Sequence, residues 1–300
     1  MENSFKKIHN GNYDIFISLK DGTKIRKNGE NCFIPEKPES LDYKITNQCS
    51  MGCKFCHEAS TPDGKHGDIM HDKFIETLNP YTEVAIGGGN PLAHPDLIPF
   101  LKKCKRLNLL PNMTVNQVHF MKEQALIRSL VQENLIYGLG ISLVDANKNF
   151  LDTVKQYPNA VIHLINGVHS ISDYQKLYDQ NLKILILGYK QFRRGKIFYN
   201  EDVEFEKERT YVFLPEIIKH FAVVSFDNLA LDQLKVKDLL TPQQWEEFYM
   251  GGDGLFTCFI DSVNQTYSTS STSPLNERFP LKDDIKEMFQ HIRSLNEAAA

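Results

Sequence analysis

No apolar run in these 300 residues approaches the ~20 needed for a membrane-spanning helix, and the strongest, Lys183 to Gly188, has only the length of a strand. The first nine residues are polar and lack the apolar core of a secretory signal, so a cytoplasmic protein with no membrane partner is expected. Positive charge is not in excess. With 34 Lys and Arg against 38 Asp and Glu, the formal net charge is −4, which argues against general nucleic-acid binding. Cysteine is scarce as well: of six, Cys32, Cys104 and Cys258 stand singly and form no disulfide framework of a small secreted protein. What remains, 41% hydrophobic and 24% charged residues, suits one large α/β domain or a domain with small appendages.

The other three cysteines are grouped as Cys49-x3-Cys53-x2-Cys56. Chance would give that spacing roughly 0.002 times per chain of this composition. Positions i, i+4 and i+7 share a helix face and could be three core thiols, but Gly52 weakens a helix and the intervening polar residues supply no apolar stripe. Cys53 to His57 also reads as C-x-x-C-H, a haem attachment site, yet that reading needs export and leaves Cys49 unexplained. Zinc could take the three thiolates with His57, although His57 follows Cys56 more closely than zinc ligands usually do. Three thiolates without a fourth suit an iron–sulfur cube with one iron left open for chemistry.

Around this triplet the chain alternates strands and helices. Tyr13–Leu19 and Thr23–Arg26 read as a hairpin turning at Asp21 and Gly22, and Pro35 to Pro38 as a linker. Six β-then-α units follow, with strands at Leu41–Ile45, Val84–Ile86, Asn112–Val115, Ile136–Leu143, Ala160–Ile165 and Ile184–Leu187. Helices are expected near His71–Leu78, Pro95–Leu107, Phe120–Glu133, Ala146–Gln156, Ser172–Gln180 and Glu208–His220. Such a run calls for a parallel sheet, closed as a full or partial TIM-like barrel or opened as a doubly wound sheet, with ligands at the C-terminal strand ends. The cysteine loop lies at that end. The resulting division is an N-terminal hairpin and linker over 1–40, a (β/α)6 core over 41–220 and a C-terminal β/α extension over 221–300. In the last part, Ala222–Asp227 and Phe256–Val263 read as strands, a helix lies around Pro242–Tyr249, and the hydroxyl-rich 264–274 reads as a surface strand or loop.

The cysteine spacing, with Phe55 before the last cysteine, and Gly87-Gly88-Gly89-Asn90 after the second strand resemble the radical S-adenosylmethionine enzymes of single-cluster type over about Leu41 to Tyr189. That resemblance implies a [4Fe–4S] cluster on Cys49, Cys53 and Cys56 and S-adenosylmethionine on its open iron, cleaved reductively to a 5′-deoxyadenosyl radical that abstracts hydrogen from substrate. One departure is the lack of an acidic residue at Gly89 or Asn90, which leaves the contact to the methionine ammonium to backbone carbonyls. The resemblance also points to Ser142 on the ribose, and to Ile165, Asn166, Gly188 and Tyr189 beside the adenine. Thr114 and Asn116 end the third strand and face ligand, substrate or the next helix start. His57 could tune the cluster or touch substrate, and His163 points into a barrel lumen or sits satisfied in the core. His94 and His119 receive no role.

The substrate is expected to be a small molecule, with a phosphate among the groups it could carry, because Lys190 to Lys196 is the one dense basic run; Arg193 or Arg194 would hold the anion, the alternative being a solvated loop. A peptide or protein substrate, as in maturases or activating enzymes, is the enzymatic alternative. The three remaining cysteines do not group for a second cluster, and 40 N-terminal residues are few for a peptide-recognition module. A reductase such as flavodoxin or ferredoxin is the implied electron donor. The reading of another class is a non-catalytic zinc or iron–sulfur binding module.

Overall fold

The computed structural model describes residues 5–30 and 32–299. Strands β1 (Phe5–Asn10), β2 (Tyr13–Ser18) and β3 (Lys24–Lys27) make an antiparallel sheet; β2 and β3 are the expected hairpin, and β1 adds a strand on its other side. Tyr13, Ile15 and Ile17 alternate along β2 and bury its inner face with Leu110.

Six strands then lie side by side in chain order, all parallel: β4 (Ser40–Thr46), β5 (Glu83–Gly88), β6 (Leu110–Asn116), β7 (Gly138–Ser142), β8 (Ala160–Ile165) and β9 (Lys183–Leu187). One face of each is aliphatic. Val84, Ile86, Ile141, Ile162, Leu164, Ile184 and Ile186 bury it under the connecting helices, while Asp42, Gly87, Thr114, Ser142 and His163 alternate onto the inner face. The fold is a partial TIM-like barrel. Its helices are α1 (Leu97–Arg106), α2 (Gln117–Lys122), α3 (Gln124–Gln132), α4 (Lys148–Val154), α5 (Ile171–Gln175), α6 (Arg194–Phe198) and α7 (Glu201–Ile217). Asn116, Asn147 and Asn200 start three of them, each side chain accepting from a backbone N–H of the first turn. The cap at Asn200 begins α7 seven residues before the expected Glu208.

Two expectations change. The helix near His71–Leu78 is only a 3₁₀ turn, Lys73–Thr77, because Asp72, which would cap it, accepts instead from Tyr43 Oη at 2.5 Å and Ser262 Oγ at 2.6 Å. The segment 221–300 is also continuous with the core sheet. Strand β10 (Val223–Phe226) extends it beyond β9; the chain then passes through α8 (Asn228–Gln233) and α9 (Pro242–Phe248) to the opposite edge, where β11 (Thr257–Asp261) pairs in parallel with β4. Strands β12 (Thr266–Ser268) and β13 (Phe279–Pro280) continue antiparallel, and α10 (Ile285–Ala299), a helix without a counterpart in the sequence reading, buries Ile285, Met288, Phe289 and Ile292.

A buried ionic cluster fastens this late strand to the first. Lys44 Nζ on β4 lies 3.0 Å from Asp261 Oδ2 and 2.7 Å from Glu58 Oε2, and Arg278 Nη1 reaches the same Asp261 oxygen at 3.3 Å. Lys44, Asp261 and Arg278 have side chains no more than 1% exposed. The hydroxyl-rich segment is accordingly more than a surface loop, since the Ser271 and Ser273 carbonyls complete the Arg278 guanidinium. Removing one member leaves opposite charge buried without its partner. Lys44→Met is therefore expected to destabilise the fold by about 3–5 kcal/mol in denaturant unfolding; a loss below about 1 kcal/mol, the scale of an exposed pair, would show that the carboxylates do not depend on Lys44.

Candidate iron–sulfur and S-adenosylmethionine site

The cysteine loop leaves the C-terminal end of β4 and returns as a strap tied at its base. Asn47 N donates to Lys65 O at 2.8 Å, Thr61 N to Asn47 O at 3.1 Å and Cys49 N to Thr61 O at 2.8 Å. The end of β5 lies directly against it, with Gly89 N on Thr46 O at 2.7 Å and Asn90 N on Gln48 O at 2.6 Å. This contact explains the glycines in part. A Cβ on Gly89 would stand 2.3 Å from Gln48 O, and Gly88, at φ +110°, would put one 2.3 Å from Thr46 O. Gly87 alone faces open space, so of the three it is the one left free to border a ligand.

The three thiols lie close enough to influence one another: burial first, then Cys56 and Cys49, push the Cys53 thiol up, and Arg194 pulls it back. Among the described residues, no group of three or more His, Cys, Asp or Glu side chains stands ready-made around a single metal ion, the three cysteines included. His57 is engaged elsewhere, its Nε2 3.4 Å from Glu58 Oε1. Burial, followed by Lys190, Lys44, Arg193 and Arg278, holds its imidazole well below the usual range, so at neutral pH it is an uncharged member of the ionic cluster. A four-iron cluster takes each thiolate on a different iron and does not need them to meet at one point.

Polar groups around the loop fit a bound polar cofactor. Buried and without a hydrogen-bond partner are Asn47 Oδ1, Ser60 Oγ, Asn90 Oδ1, Asn166 Oδ1 and Arg194 Nε. Ser142 and Thr114 are half-buried on the inner face, in register with His163 and Gly140 respectively. His163 is buried in the lumen wall, its ring where a Cβ on Gly140 would otherwise stand, and burial holds it down to about 4.

Other expected contacts are redirected. Asn116 caps α2, its Oδ1 accepting from Val118 N at 2.8 Å. Asn166 Nδ2 donates to Gln233 Oε1, Tyr189 Oη donates to Gly195 O at 2.8 Å, and Gly188 is packed against Leu229, leaving Ile165 as the half-buried side chain of that group on the inner face. Phe55 packs its ring 6.1 Å from Phe198 on α6. Arg193 Nη1 donates to Glu58 O at 2.6 Å and Arg194 Nη2 to Ser60 O at 3.0 Å, so this part of the basic run clamps the cysteine loop and is not a solvated loop. The sequence reading missed His119, whose Nε2 lies 3.9 Å from Cys49 Sγ. Burial and Lys122 hold it below the usual range; no short-range pattern marks a residue 70 positions from its partner.

A three-thiolate loop after the first strand of a partial parallel barrel, seated on a glycine-rich second strand end, is the arrangement in which the chain resembles the radical S-adenosylmethionine enzymes. No family model matches it. Among curated proteins it is similar to the PqqA peptide cyclase of Gluconobacter oxydans, 27% identical over 90 residues, covering 28% of this chain and 25% of that protein. It is also similar to the omega subunit of homocitrate synthase from Clostridium pasteurianum, 26% identical over 156 residues, covering 52% and 37%. The aligned parts thus span well under half of these relatives. Among solved structures it is similar to Streptococcus suis SuiB bound to S-adenosylmethionine, with TM-score 0.66 at 10% identity over 93% of this chain and 85% of SuiB. SuiB bound to its precursor peptide SuiA gives TM-score 0.60 at 14% identity over 85% and 65%. None of the described helices is long and apolar enough to cross a membrane.

Replacing Cys49, Cys53 or Cys56 by Ala is expected to abolish the cluster. Cys32, exposed, and Cys104 and Cys258, buried, are separate from the loop, and their Ala variants should keep four irons per chain. Iron and sulfide analysis after anaerobic reconstitution checks this, and a full cluster in Cys53→Ala would disprove the ligand set.

Proposed function

We propose that the protein is a radical S-adenosylmethionine enzyme that modifies a peptide. The observation that carries the first part is the cysteine loop with buried, unpartnered polar atoms beside it. The second part is supported by the peptide cyclase and peptide-bound SuiB likenesses, and by the loss of the only feature that favoured a small anionic substrate, since Arg193 and Arg194 are bonded to the loop.

When bound, the [4Fe–4S] cluster supplies the electron that cleaves S-adenosylmethionine and yields the 5′-deoxyadenosyl radical. Cys49, Cys53 and Cys56 hold it. Asn90 Oδ1, a buried acceptor without a partner, would receive the methionine ammonium, an amide standing in for the missing acid. Ser142 offers its hydroxyl to the ribose, and Gly87 and Ile165 border the cofactor on the inner face. His163, kept neutral, and Thr114 line the lumen in which the substrate residue would sit. Reduced thiols and an oxygen-sensitive cluster fit the cytoplasm, with flavodoxin or ferredoxin as reductant.

Two measurements test this. Reconstituted, dithionite-reduced protein should release 5′-deoxyadenosine from S-adenosylmethionine, and a peptide encoded by a short reading frame beside the gene should change mass in the same incubation. Turnover with a phosphorylated metabolite and none with peptide would restore the small-substrate reading. Asn90→Ala should weaken S-adenosylmethionine binding by about 1.5–3 kcal/mol, roughly tenfold to a hundredfold in Kd, by calorimetry on the loaded protein; unchanged affinity would return the ammonium to the backbone.

A further inference from the structure

The segment after β9 spends local strain to reach the cysteine loop. Arg193 sits at φ +49°, ψ −121°, a region that non-glycine residues rarely occupy and that costs of order 1–3 kcal/mol. The turn also requires Gly195, where a Cβ would stand 2.3 Å from Lys190 O and 3.3 Å from Phe55 O. What the strain achieves differs for the two arginines. Arg193 is bonded to Glu58, through its carbonyl at 2.6 Å and its carboxylate at 3.5 Å. Arg194 spends Nη2 on Ser60 O, while its Nε is buried with no acceptor. An unmet buried donor costs about 1–3 kcal/mol, more for a charged group, so its retention calls for an acceptor that the polypeptide itself does not provide.

We propose that Arg194 is a positioning residue for the cluster, gripping the loop at Ser60 with one edge of its guanidinium and donating from its buried Nε to cluster sulfur, on the side of the loop where the neighbouring Gly195 packs against Phe55 O. This rests on the cluster assignment above. A hydrogen bond to cluster sulfur, with a fixed positive charge behind it, favours the reduced and more negative state, so Arg194 raises the potential and eases acceptance of the electron.

The test is a redox titration of the reconstituted full chain followed by electron paramagnetic resonance. Arg194→Met should retain four irons and shift the reduction equilibrium about tenfold toward the oxidised cluster, which is 59 mV for one electron. Arg194→Lys, which keeps the charge but not the guanidinium fork, should shift it less and holds the test open if the Met variant does not fold. Arg193→Met, which loosens the same loop by removing an arginine whose bonds go to Glu58, should leave the potential in place. Equal shifts in Arg193→Met and Arg194→Met, or wild-type potentials in both Arg194 variants, would overturn the proposal and leave a clamp alone. Failure of the wild type itself to take up a cluster would instead overturn the assignment of the cysteines.

Discussion

Two buried carboxylates sharing one lysine hold this molecule together at its site. Glu58 belongs to the cysteine loop, Asp261 to the last parallel strand, and Lys44 on the first strand bonds both. Charges so deep are stable only when matched and fully hydrogen-bonded, and the arrangement meets that condition with Arg278, Asn264 and serine carbonyls. The loop is thereby fixed in place by electrostatics, not by the regular backbone ladder that fixes the strands.

The same loop is gripped from every side by parts of the chain that are distant in sequence. The glycine-rich end of β5 abuts its base, α6 holds its carbonyls through two arginines, α2 brings His119 to Cys49, and Phe198 covers Phe55. His119 reaches a thiol directly, and the other contacts fix the loop that carries the cysteines. A cluster with an open iron depends on such restraint, because geometry left free at the ligands would be lost at the reacting atom.

How much of this could be read beforehand follows from the range of each interaction. The three cysteines lie within a few residues of one another, as do the three glycines, and the chemistry of each group is written in that spacing. The strands β4 to β9 announced themselves as short aliphatic runs because a parallel sheet buries its outer face. The arginines misled because their partners, Glu58 and Ser60, lie 135 and 134 residues away, and nothing local separates a clamp from an anion site. The helix expected near His71–Leu78 is only a short turn because Tyr43 and Ser262 claim the Asp72 carboxylate. For β11 the strand was legible but its place beside β4 was not, since edge choice is settled by pairing and not by composition.

That place has a bearing on the order of assembly. Lys44 and Asp261 are 217 positions apart, so a chain made from its N-terminus carries the three cysteines long before Asp261, the partner of Lys44, exists. Until β11 docks, Lys44 has Glu58 as its carboxylate partner and lacks Asp261. Metal delivered that early would meet an unfinished cradle. The connectivity therefore makes completion of the cradle wait for the pairing of β4 with β11, the strand pairing of longest sequence separation among the described residues.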